Sequence, residues 1–183
     1  MVSIAIADPS TPQKISLEEW AIASPSGMEW VNGYLLEKQG VNLQHSRVQC
    51  RVGYLWGKHI ESSGIGGEIY VGAPCRTLQQ GRRPDVAYLT AELLAQYGDL
   101  STLPQSFPLI AEVISPTDVA NEVFAKASEY LRSGCQEVWL IFTEERLIVV
   151  LTQDSRKIYV ADEAIASTVL EGFVMSVNNL LGV

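Results

Sequence analysis

The run Pro108-Leu109-Ile110-Ala111-Glu112-Val113-Ile114 is apolar except for one carboxylate. Its length and β-branched content read as a strand buried on both faces. A carboxylate in a dry strand carries a large desolvation cost unless a cation or hydrogen-bond donors compensate it. Any fold that buries this strand must therefore bring positive charge or donors to Glu112. Upstream lies a second apolar strand, Val86-Ala87-Tyr88-Leu89, preceded by Arg82-Arg83-Pro84-Asp85. Pro84 is tolerated at a strand's first residue, and Asp85 stands at the strand's mouth. Two carboxylates on neighbouring strands make a candidate site for a hard metal ion, which would account for both.

The remaining pattern places this pair in an α/β domain with a mixed sheet. Ser16-Leu17-Glu18-Glu19 has the form of a capping box opening a short helix. Asn32-Gly33 between Met28–Val31 and Tyr34–Glu37 signals a two-residue hairpin. Val48, Val52, Leu55, Trp56 and Ile60 recur at helical spacing and predict a helix over 42–61. Gly64-Ile65-Gly66-Gly67 follows a helix and precedes a strand, the reverse of a phosphate-cradling loop, so it reads as a turn. Strands are expected at 68–77, 83–89 and 108–114, with a short helix at 91–97. A helix over 119–133 follows, capped by Asp118 and ended by Gly134. Strands at 137–142, 146–152 and 157–160 and a short helix containing Val177, Leu180 and Leu181 complete the chain. The strand–helix–strand passage over 108–142 is a candidate right-handed crossover. Residues 1–13 read as a loose N-terminal segment and 14–183 as a single domain.

Composition limits the function classes. The 183 residues carry a net charge of −8, with 47% hydrophobic and 19% charged residues. Such a balance opposes strong non-specific nucleic-acid binding, although Arg76, Arg82 and Arg83 concentrate positive charge beside Pro84-Asp85. No apolar stretch is long enough for a membrane span, and the N-terminus lacks the basic region of a signal peptide. Cys50, Cys75 and Cys135 form no C-x-x-C pair, which suits reduced thiols in a cytoplasmic protein. With only His45 and His59 as histidines, a zinc site is not expected.

Lys126 joins the two carboxylates. On its helix it shares with Val119, Val123 and Tyr130 the side that faces the sheet, which sets it at the edge of the packed face, where an amine near half-buried carboxylates is electrostatically sensible. Its amine suits a water or a phosphate oxygen. Each element also has an ordinary structural reading. A Pro-Asp pair by itself carries little information, one strand Glu can be a satisfied core residue, and arginines often flank strand ends for solubility. His45 at a helix start reads first as a cap, Tyr130 first as core packing, and Trp20, Trp30, Trp56 and Trp139 as core or interface residues.

Taken in order, Pro84-Asp85, Glu112-Val113-Ile114-Ser115-Pro116, Lys126, Tyr130, Gly134 and Trp139-Leu140 resemble the PD-(D/E)XK restriction-endonuclease-like superfamily. Within it, the chain is similar over nearly its full length to a bacterial family of putative restriction endonucleases, a domain of unknown function. The family's hairpin acid is matched by Glu29 in Glu29-Trp30-Val31-Asn32-Gly33.

The resemblance implies a restriction-endonuclease-like core with flanking helices and an N-terminal β-hairpin. It implies Mg²⁺ or Mn²⁺ held by Asp85, Glu112 and the carbonyl of Val113, with Glu29 a further acid. The lysine of the E-x-K element should stand at 114, where this chain has Ile114; Lys126 would supply the amine, orienting or deprotonating the attacking water. Arg82 or Arg83 would contact the nucleic-acid backbone. The implied activity is metal-assisted hydrolysis of DNA phosphodiester bonds, by a homodimer if both strands are cut. The competing reading is a catalytically inactive nuclease fold kept for assembly or regulation. A weaker third is hydrolysis of a small phosphorylated molecule.

Overall fold

Most of the local signals resolve into elements in the computed structural model, which describes residues 14–38 and 42–183. The expectation for residues 1–13 lies outside the described residues. Helix α1 (Leu17–Ala23) opens on the Ser16–Glu19 capping box. Strands β1 (Met28–Val31) and β2 (Tyr34–Glu37) form the hairpin, with φ of 52° at Asn32 and 97° at Gly33. Asn-Gly is suited to this turn because both central residues need positive φ. Helix α2 (Leu43–Ser63) is capped by the Asn42 side chain and buries Val48, Val52, Trp56 and Ile60.

The strand expected over 68–77 is divided. Gly72, at φ 62°, separates β3 (Glu68–Val71) from β4 (Cys75–Arg76). The strand expected over 83–89 is divided too, into β5 (Gly81–Arg82) and β6 (Val86–Leu89), with Pro84 and Asp85 in the gap. These breaks let one passage of chain serve two sheets. Next come α3 (Ala91–Tyr97), β7 (Leu109–Ile114), α4 (Ala120–Arg132), β8 (Glu137–Phe142), β9 (Leu147–Leu151) and β10 (Arg156–Val160). The chain closes with β11 (Ala164–Ala166), β12 (Val174–Ser176) and α5 (Val177–Leu181). The small β11–β12 hairpin has no counterpart in the sequence reading.

The main sheet has six strands in the order β10-β9-β8-β7-β6-β3, and a four-stranded sheet runs β2-β1-β5-β4. The β7–β8 pair is parallel, bridged by α4 as the crossover requires; the other pairings of the main sheet are antiparallel. Both faces of the sheet are covered. Leu109, Ala111 and Val113 pack with α2 and α5, whereas Ile110 packs with Ala127, Tyr130 and Leu131 of α4. Glu112 has the parity of Ile110 and so points at α4.

Asp118 does not cap α4. Its carboxylate accepts from the Ser115 N–H at 2.8 Å, closing the Ser-Pro turn, and Val119 stands at the cap position without a side-chain bond. Among the described residues no helix is long and apolar enough to cross a membrane. The three cysteines are free, Cys75 and Cys135 buried and Cys50 exposed. Trp20, Trp56 and Trp139 are fully buried, and Trp30 donates its indole N–H to the Ile15 carbonyl at 2.7 Å.

Candidate active site

Four elements and two connecting segments deliver charge to one cleft of about 510 Å³. The gap between β5 and β6 presents Asp85, β7 presents Glu112, α4 presents Lys126, and β1 presents Glu29. The residue after β2 is Lys38, and the first turn of α2 carries His45. All six line the cleft. Asp85, Glu112, Glu29 and His45 are buried.

The Asp85 carboxylate meets three partners. Its Oδ1 lies 2.6 Å from Lys38 Nζ and 3.1 Å from His45 Nε2, and its Oδ2 accepts the Val113 N–H at 2.8 Å. Facing a carboxylate, His45 Nε2 carries its proton there. Gln49 donates to the Asp85 carbonyl at 2.8 Å. Burial pushes the Asp85 carboxyl upward, but the His45 hydrogen bond and the Lys38 charge outweigh it and hold the group well below the usual range.

Glu112 answers the sequence's first puzzle: its compensation comes from three side chains. Oε1 accepts the Tyr130 hydroxyl at 2.8 Å and lies 3.1 Å from Lys126 Nζ, while Oε2 is 3.6 Å from Lys38 Nζ. Lys126 also meets Glu29 Oε1 at 2.9 Å. Burial lowers the Lys126 pKa, yet Glu112 and Glu29 raise it above the ordinary lysine value on balance, so the amine is held as a cation. That state suits orienting a water or meeting negative charge. Burial raises Glu29 as well, but Lys126 and Arg82 bring it down to about 2.

The arginines differ from expectation. Arg82 donates to Glu29 at 3.0 Å and through two nitrogens to Glu129 at 3.1 and 2.7 Å. Arg83 spends all three nitrogens on Met28, Gly72, Ser24 and Pro25. Both guanidiniums thus brace the small sheet against its neighbours and are not held ready for a phosphate backbone. Val113 contributes its N–H to Asp85 and lines the cleft beside it.

Lys38 and Glu129 escaped the sequence reading. Glu129 lies one helical turn beyond Lys126, a spacing that could have linked them. A lysine after a hairpin strand carries no such signal. Tyr130 is fully buried in the core, as its reading as a packing residue has it, and its hydroxyl also donates to Glu112, a contact the sequence reading did not include.

Among the described residues no group of three or more His, Cys, Asp or Glu side chains is arranged to hold a metal ion. The donor chemistry nevertheless fits a magnesium-type ion, which takes one or two carboxylates and keeps waters elsewhere. The fit rests on a stand-in: the Lys38 ammonium approaches Asp85 and Glu112 together, so both carboxylates reach one cation position.

A mixed sheet with a parallel β7–α4–β8 unit, carrying these acids at its centre, defines the restriction-endonuclease-like class of fold. The fold is similar to the crystal structure of a putative nuclease belonging to DUF820 from Anabaena variabilis, with a TM-score of 0.76 at 16% identity over 85% of this chain and 89% of that one. At that identity the likeness is one of fold. Residues 16–178 match the Uma2 family, described as putative restriction endonuclease, and the chain belongs to that family. No curated protein matches it.

Proposed function

We infer that this protein is a metal-dependent endonuclease hydrolysing DNA phosphodiester bonds. The observation that carries the reading is the convergence of Asp85 and Glu112 on the single cation position marked by Lys38 Nζ. Asp85 and Glu112, with the Val113 carbonyl, are the proposed holders of Mg²⁺ or Mn²⁺. Such an ion acidifies a bound water and stabilises charge on the phosphate. Lys126, kept protonated by Glu112 and Glu29, orients the water and offers its N–H groups to the developing negative charge. Arg82 fixes β1 to α4 through Glu29 and Glu129, which holds Lys126 in register with Glu112. Two copies acting together would cut both strands, and a cytoplasmic setting suits the free thiols.

Manganese titration of the pure protein, followed by cleavage assays, tests this. Binding and metal-dependent cleavage are expected in the wild type, with both lost in Asp85→Ala and cleavage lost in Glu112→Gln. No divalent binding, together with cleavage unchanged in Asp85→Ala, would sink the reading.

A non-catalytic nuclease-fold module is the second reading. It is favoured by Ile114 at the E-x-K lysine position and by exposed Glu37, Asp118 and Glu122 around the cleft, which repel a phosphate backbone. Robust metal-dependent cleavage that disappears in Glu112→Gln refutes it.

A further inference from the structure

The position that both catalytic-type carboxylates reach is filled by a side chain of the protein itself. Lys38 Nζ lies 2.6 Å from Asp85 Oδ1, 2.7 Å from the Arg83 carbonyl oxygen and 3.6 Å from Glu112 Oε2. It is brought there by pairing of the β1–β2 hairpin, where the Lys38 N–H donates to the Gly27 carbonyl at 2.9 Å. A divalent ion bound to Asp85 and Glu112 would share carboxylate oxygens with this ammonium, and two cations on one oxygen repel each other strongly in a partly dry cleft. The incoming ion therefore competes with the protein's own ammonium groups for these oxygens.

Lys126 is poorly suited to leave, because Glu29 and Glu112 grip it from two elements. Lys38 is better suited. Its side chain is no more exposed than that of Lys126, 20% in each case, but its contact with Glu112 is longer, 3.6 Å against 3.1 Å, and it follows the exposed residues Leu36 and Glu37 at the cleft's lip. A flexible four-carbon stem lets the ammonium return to water while the backbone stays paired.

We propose that Lys38 is a tethered cation that neutralises the Asp85–Glu112 pair in the metal-free protein and is displaced when a divalent ion enters. This rests on the metal reading above and adds a regulation of the same site. Metal binding becomes an exchange of one cation for another. The protein keeps two buried carboxylates compensated without metal, and its affinity for the ion is lowered by the same contact.

Calorimetric titration with Mn²⁺ of the wild type, Lys38→Met and Lys38→Arg tests the exchange, alongside amine labelling of wild-type protein read by mass spectrometry. Lys38→Met should bind Mn²⁺ about tenfold or more tightly than the wild type, and Lys38→Arg, which keeps the charge, should not. Labelling of Lys38 should rise as the ion saturates, while Lys126 stays protected. Equal or weaker binding by Lys38→Met overturns the exchange and leaves the metal reading standing. Lys38 labelling that does not change at saturation does the same, and decides the matter if the variant fails to fold. Absence of binding by wild type and Lys38→Met alike overturns both.

Discussion

The Tyr130 hydroxyl donates a 2.8 Å hydrogen bond to Glu112 Oε1, joining α4 to the middle of β7 inside the core. Burial first, and the Glu112 charge second, push the phenol well above its ordinary pKa, so it remains a donor. The bond ties the packing of the crossover helix to the orientation of the carboxylate.

Tyr130→Phe keeps the ring and removes the donor, leaving a buried carboxylate oxygen with one partner fewer. A loss of about 1–3 kcal/mol is expected, read by urea denaturation. A variant as stable as the wild type would mean that the hydroxyl does not support Glu112.

Lys126→Met leaves Glu29 and Glu112 buried without their shared cation. The expected loss is about 3–5 kcal/mol, the range for breaking a buried ion pair from one side. Glu29→Gln in the same background should recover part of it. A double-mutant cycle over Lys126 and Glu29 with coupling near zero would contradict the network.

The acid limb of stability follows from Glu29 and Asp85. Both carboxyls are lowered in the folded protein, Glu29 to about 2. The unfolded chain, with carboxyls near about 4, therefore binds more protons in that range, and stability falls as pH falls. It should be full above about pH 5 and decline progressively toward pH 2. Lys126, raised in the fold, keeps its contribution through neutral pH and loses it only as pH climbs past the ordinary lysine range. Urea midpoints across pH 2.5–7 test the acid limb, which Glu29→Gln should flatten.

Gly81 in β5 supports the site indirectly. A Cβ there would collide with the six-membered ring of Trp20, which is fully buried. Gly81→Ala should cost about 1–3 kcal/mol by overpacking and loosen the adjacent Arg82 brace. Gly57 offers the contrast: in the middle of α2, its added methyl would meet only Ile69 Cγ1, at 3.9 Å. Gly57→Ala should therefore be neutral or stabilising by up to about 1 kcal/mol. Thermal melts of the two variants shifting in the same direction would refute this account.

The partners of Glu112 illustrate how much of the site was legible. Lys126 was visible because a helix repeats its faces at a fixed interval, whereas Tyr130 on the same face read only as core packing. Glu129 lay within the same reach and was overlooked. Asp85 was visible because Pro84 marks the mouth of an apolar strand. Lys38 carried no comparable mark. Its role depends on the β1–β2 hairpin docking through β5 beside the main sheet, which brings it to Asp85 across 47 positions of chain. The broken strands were illegible for a related reason. Gly72 and Pro84-Asp85 interrupt pairing only because β4 and β5 find partners in a second sheet.

The sequence by itself determined the local elements, the faces they bury, and the need for Glu112 to be compensated. These follow from periodicity, turn chemistry and the cost of a dry charge, all of which act over a few residues. The tertiary structure decided which cations compensate which acids. It turned Arg82 and Arg83 inward as braces and set Lys38 on the position that Asp85 and Glu112 share. Charges pair through space at ångström range, and that range is set by how the sheets and α4 pack, whatever the distance along the chain.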